Sequence, residues 1–266
     1  MKQRVISAIV MLALVIPVFI IGGDLFKVAI LIIAMLGLKE YLDIKETKKT
    51  LPIFIKLLGY LFIPLLLFTV DVNKHFVMSV DFRVIASLFL LLLLPVVLYH
   101  KRETYSINDA NYVFTGVMFL GIAMSLFTTY FEMNKDLLLY LILITVFTDT
   151  FAYLTGMLIG KNKLLEVVSP KKTWEGFIGG TLFGVFVATI FYTTIVDNSV
   201  SLPVVIVVTT ILSIIGQMGD LFFSAIKRYF DKKDFSNLMP GHGGILDRLD
   251  SLIFVLLAYG FFLTIL

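Results

Sequence analysis

Leu137–Ile159 reads LLLYLILITVFTDTFAYLTGMLI. The run is long enough to cross the hydrocarbon of a bilayer as a helix. Its apolar residues are continuous rather than alternating, which selects a helix over a barrel strand. It carries one formal charge, Asp149, near its middle. A carboxylate at that depth costs several kcal/mol unless it is paired or solvated, so intramembrane acids usually mark sites. Thr145, Asp149, Tyr153 and Gly156 fall on one helical face, which is expected to point into a bundle.

The rest of the chain has the same character. Of 266 residues, 59% are hydrophobic and 15% charged, and mean hydropathy is +0.99. A soluble domain is nearer half apolar and a quarter charged. The expected fold is therefore all-α, a polytopic membrane helix bundle. Nine spans are read, at about Val5–Ile21, Leu25–Leu38, Leu57–Val70, Val84–Tyr99, Tyr112–Phe131, Leu137–Ile159, Phe177–Val196, Leu202–Phe223 and Ile245–Leu266. Lys2 and Arg4 before the first run resemble a signal peptide, but no small-residue cleavage pattern follows, so a retained span is expected. With the N-terminus in the cytoplasm, only Lys27, Lys74, Arg83 and Lys135 of the 22 lysines and arginines fall outside. That asymmetry supports an N-in, C-out topology. Residues 1–266 read as a single transmembrane domain, with N-terminal spans over 1–135 and catalytic spans and cytoplasmic loops over 136–266. There are no cysteines, which excludes disulfides and thiolate chemistry. The net charge of +3 is too small to imply nucleic acid.

Outside the runs, polar residues gather in three places. Lys39–Lys56 is basic and reads as an anchor near anionic lipid heads; Asp71–Arg83 reads as a plain solvated connection. The second place, Lys161–Gly176, holds Ser169-Pro170-Lys171-Lys172-Thr173-Trp174-Glu175-Gly176. Its adjacent lysines suit a triphosphate, although Lys and Trp are also common interfacial anchors. Gly160-Lys161 lacks the spacing of a nucleotide P-loop. Gly156 with Gly160, and Gly176 with Gly180 and Gly184, are best read as close helix packing.

The third place is Gly216–Ser251, GQMGDLFFSAIKRYFDKKDFSNLMPGHGGILDRLDS. Asp220, Ser224 and Lys227 share a helical face. The turn at Pro240, Gly241, His242, Gly243 and Gly244 would let backbone amides approach an anion. The N-terminus of span nine follows at once, with its N–H groups directed to the same place. Asp220 and Asp247 could converge from two helices as a hard oxygen site for Mg2+. The competing reading has Asp247 and Asp250 capping the helix and pairing with Lys227, Arg228 and Arg248.

The run from Ser224, Lys227 and Arg228 through Lys233, Asp234, Ser236, Met239, Pro240, His242, Gly243 and Gly244 to Asp247, Arg248 and Asp250 closely resembles the signature of phosphatidate cytidylyltransferases. Asp149–Tyr153 and Ser169–Gly176 look like two further segments of that family, in the right order. The resemblance covers about Thr148 to the C-terminus. Met239 departs from it, at a place where the family more often has Leu, Ile or Phe, and the exchange nearly conserves volume. The resemblance implies that CTP and phosphatidic acid give CDP-diacylglycerol and pyrophosphate with Mg2+, in a homodimer. The bacterial size implies the plasma membrane, with the active site facing the cytoplasm. In the mechanism this suggests, Asp220 and Asp247 hold Mg2+, a second cation being left open. Lys171, Lys172, Lys227 and Arg228 neutralise phosphates, with Ser169, Thr173, Ser224, His242, Gly243 and Gly244 beside the substrates. Asp149, Asp250 and Arg248 support the metal shell or the lipid head. A CTP-dependent polyprenol or phytol kinase and a membrane transporter are the rival readings.

Overall fold

The computed structural model describes residues 2–72, 78–99, 101, 103–239, 241 and 243–263. His242, Lys74, Arg102 and the last three residues of predicted span nine lie outside them. The order is α1 Lys2–Ile21, α2 Gly23–Glu46, α3 Ile53–Thr69, β1 Val70–Val72, β2 Met78–Val80, α4 Phe82–Leu98, α5 Ile107–Met133, α6 Lys135–Ile159, β3 Lys163–Leu165, β4 Ser169–Thr173, α7 Trp174–Phe191, α8 Leu202–Tyr229 and α9 Leu246–Tyr259. A π-turn, Tyr192–Val196, continues α7. Among the described residues each of the nine predicted spans overlaps a helix, although α9 ends at Tyr259, short of the predicted Leu266. Four helices are long and apolar enough to cross a membrane: α5, α6, α7 with its π-turn, and α8. Two more, within Ile53–Phe68 and Phe82–Leu98, are apolar but shorter.

Local sequence explains the boundaries. Gly22 and Gly23 take φ of 69° and 57°, which a side chain would resist, and so α1 stops where α2 begins. Three helices open on side-chain caps. Asp81 accepts the Arg83 amide at 2.9 Å, Asn134 the Asp136 amide at 2.8 Å, and Thr173 the Gly176 amide at 3.1 Å. The connection read as plain, Asp71–Arg83, carries the antiparallel pair β1–β2 and the Asp81 cap.

The chain forms two compact units. Among the described residues, the first takes those of 2–72, 78–129 and 230–248, and the second those of 130–229 and 249–263. In the first, α2 packs on α1 and α3, and α3 on α4, around buried Leu38, Leu42, Ile55, Ile63 and Leu66. The segment read as a basic loop is helical as far as Glu46. Two of its cations, Lys45 and Lys49, are paired with buried Asp109 at 2.7 and 2.5 Å.

In the second unit α6 lies along α7, and α8 packs on both. The glycines read as packing residues are in that role. A Cβ built on Gly180 would stand 2.6 Å from the Thr148 carbonyl, and one on Gly176 2.6 Å from that of Ala152. Polar side chains join α8 to both α6 and α7. Thr148 and Ser213 share a hydrogen bond of 2.8 Å, Tyr140 and Thr209 one of 2.7 Å, and Gln217 Nε2 donates to Thr181 Oγ1 at 2.9 Å.

Candidate active site

In the second unit the predicted residues come from α6, β4, α8 and α9. The register of α8 places Asp220 and Ser224 one turn apart, and the Ser224 hydroxyl donates to Asp220 Oδ1 at 3.3 Å. The other oxygen, Oδ2, lies 2.6 Å from Lys172 Nζ. The segment 161–176 is not the loop expected from sequence. Its β3 and β4 pair antiparallel, from Lys163 opposite Thr173 to Leu165 opposite Ser169. In β4 Lys171 is exposed, whereas Lys172 is half-buried and pairs with Asp220. The bend between the strands is held to α8, where Arg228 Nε donates to the Val168 carbonyl at 3.2 Å. Thr173, predicted at the substrate, is buried as the cap of α7. Ser169 is half-buried at the start of β4.

Asp149 Oδ2 accepts the Ser251 hydroxyl at 3.2 Å, and Asp250 Oδ1 accepts the Ser251 amide at 2.8 Å. Asp149, Asp220 and Asp250 are close enough to repel one another, with Lys172 and Lys227 as counter-charges. Lys227 and Asp250 are both buried, at 8% exposure. The face carrying Asp149 is not wholly inward as predicted. Thr145 is buried, but Asp149 is accessible and Tyr153 is 68% exposed. An accessible carboxylate in a helix this apolar needs water or a cation beside it. Asp149 also borders a narrow recess with Thr145, Thr148, Ser213, Gln217 and Ser251. Gln217 was missed from sequence, and its signal was an amide side chain inside an apolar run.

The first unit holds Gly243, Gly244, Asp247 and Arg248. Met239 and Gly243 exchange backbone hydrogen bonds of 2.9 and 3.1 Å across the turn, and Gly243 has φ 86°. Asp247 Oδ2 accepts the amides of Phe235 at 3.0 Å and Gly244 at 2.9 Å. A Cβ on Gly243 would sit 2.9 Å from that oxygen. The amides of Ile245 and Leu246, offered to an anion in the sequence reading, are each held at 2.9 Å by the carboxylate of Glu40. The turn and the start of α9 thus bind two carboxylates of the protein itself. Glu40 was not singled out, because it sits among the charges read as an anchor. Arg248 is exposed.

Asp220 and Asp247 belong to different units, and each is taken in its own setting. The donor set around Asp220 is hard oxygen, the ligand type that suits a divalent cation. Among the described residues no three acidic or histidine side chains converge as a ready-made metal site. Mg2+ commonly takes one or two carboxylates and completes its shell with water and phosphate oxygens, so these residues fit it.

A helical membrane protein with Asp220 in an apolar helix opposed by Lys172 from a short ribbon is of the class in which charged groups among the helices mark a site. The chain belongs to the cytidylyltransferase family, whose model matches residues 2–266. It is 36% identical over 257 residues to the phosphatidate cytidylyltransferase of Staphylococcus haemolyticus, and 37% identical over 258 residues to that of Staphylococcus saprophyticus. It is 36% identical over 260 residues to that of Staphylococcus aureus. In each case the match covers 96% of both chains.

Proposed function

We propose that this protein condenses CTP with phosphatidic acid to give CDP-diacylglycerol and pyrophosphate, in the synthesis of phospholipids. Relatives that bear this name along nearly their whole length support the reaction. The observation that carries the site is the Lys172–Asp220 pair standing among Asp149, Asp250 and Lys227. An oxygen of the lipid phosphate attacks the α-phosphorus of CTP. The bond from that phosphorus to the oxygen bridging to the β-phosphate breaks, and its electron pair leaves on pyrophosphate. The nucleophile is already an anion, so a strong general base is unnecessary. What the step demands is orientation and charge neutralisation.

Lys172 and Lys227, with Lys171 and Arg228 nearer the solvent, supply that neutralisation, and Lys172 exchanges Asp220 for a phosphate when substrate arrives. Asp220 and Asp247 are the residues that would hold Mg2+, a second cation being left open. Bound there, Mg2+ would supply further positive charge to the phosphate oxygens. Asp149 and Asp250 keep the surroundings of Asp220 acidic, and Arg248 addresses the lipid head. The nine helices are taken as nine spans, N-in and C-out, of a homodimer in the plasma membrane, with the site open to the cytoplasm. Asp220→Asn tests the assignment. Turnover should fall by about two orders of magnitude or more, since a charge-stabilising group is removed, while the melting temperature in detergent stays near wild type. Near-normal turnover would remove Asp220 from the mechanism.

A further inference from the structure

We propose that Glu40 is a positioning residue for this reaction, a clasp from α2 that holds the loop carrying Asp247 in its working shape. The proposal rests on the function just given. Glu40 is 4% exposed, and a buried carboxylate is costly unless its lone pairs are filled. Here three donors fill them. The Ser236 hydroxyl and the Ile245 amide donate to Oε1 at 2.6 and 2.9 Å, and the Leu246 amide donates to Oε2 at 2.9 Å. Ser236 stands near the middle of the connection between α8 and α9, and Ile245 and Leu246 at its end. One carboxylate therefore ties the middle of the loop to the start of α9, from a helix about two hundred residues away in sequence.

Between Ser236 and Ile245, Met239 and Gly243 close the turn, and from α9 Asp247 Oδ2 gathers the amides of Phe235 and Gly244. The fit is close: a Cβ on Gly244 would lie 2.5 Å from Glu40 Oε2. The direction of Asp247 and of the first turn of α9 is thus set by the loop that Glu40 closes. Glu40 meets neither reacting phosphate in this account and acts through Asp247. A second consequence follows for anions. The amides of Ile245 and Leu246 are already satisfied by a carboxylate, so these two groups are not the ones that bind phosphate.

Glu40→Gln keeps the volume but puts an NH2 group where an acceptor is needed. In full-length protein in detergent, kcat for CDP-diacylglycerol formation per folded molecule should fall about ten- to a hundredfold, the scale of a misplaced catalytic group. KM for CTP should change little, whereas the melting temperature should fall, since buried donors then face a donor. Amide exchange at Ile245 and Leu246 should quicken as the clasp opens. Ser236→Ala removes a single donor and should lower kcat less, with no further fall when combined with Glu40→Gln, because both act on one clasp. Unchanged kcat in folded Glu40→Gln, or a fall in kcat with exchange unaltered, would overturn the proposal; so would effects of the two variants that simply multiply. If Glu40→Gln does not fold, an unchanged kcat in Ser236→Ala overturns it instead. Wild-type protein that forms no CDP-diacylglycerol would overturn the function itself, whereas an active wild type with an indifferent Glu40→Gln overturns only the clasp.

Discussion

Lys172 separates two effects that a single salt bridge can have. Its partner Asp220 is 2.6 Å away, and both side chains are 26% exposed. A pair this accessible contributes only about 0–1 kcal/mol to stability. Lys172→Gln should therefore leave the melting temperature within a few degrees of wild type, yet lower kcat/KM for CTP about ten- to a hundredfold through lost charge at the phosphates. Thermal unfolding and initial rates on the same preparation check both halves. Gly244→Ala should do the reverse in its first effect: its Cβ meets Glu40 Oε2, and overpacking of this kind costs about 1–3 kcal/mol, visible as a lowered melting temperature. The acids and hydroxyls on one face of α8 were legible, because helical spacing puts Asp220 beside Ser224. Glu40 was not legible. Its partners lie two hundred residues on, and no local pattern distinguishes a clasping glutamate from a solvated one.

At the scale of elements, helix existence was legible throughout, because apolar runs of this length have few alternatives in a bilayer. The ends were less so. Helix α8 continues to Tyr229, beyond the predicted Phe223, since Ser224, Lys227 and Arg228 are tolerated on a helix that has left the apolar zone. The ribbon β3–β4 was missed. Its strands are short, Pro170 argues against a strand, and its register shifts between Lys163 and Leu165. It matters all the same, because β4 carries Lys172 to Asp220 and leaves Lys171 exposed. Between α6 and α7 the small residues were read correctly. Gly180→Leu should push the helices apart: even its Cβ would lie 2.6 Å from the Thr148 carbonyl and 2.7 Å from Ala152 Cβ. A loss of about 1–3 kcal/mol or more is expected, seen as early unfolding in detergent and reduced yield of folded protein.

For the whole molecule, a linear reading could not divide the chain as contacts do, because the described residues of 230–248 join those of 2–72 and 78–129 in one unit. The proposed topology can be tested cleanly because the chain has no cysteine. A cysteine at Val167, 89% exposed between β3 and β4, should react with an impermeant maleimide only when the cytoplasmic face is opened. One at exposed Ser199, before α8, should react in intact cells. Labelling with the opposite sidedness would invert the bundle. The most direct measurement of all follows the α-phosphate of CTP. With purified protein, phosphatidic acid, Mg2+ and CTP labelled at that position, the label should move into lipid as pyrophosphate appears, and EDTA should stop it. Label retained in CDP while a lipid alcohol gains the γ-phosphate, or no transfer at all by folded protein, would contradict the account.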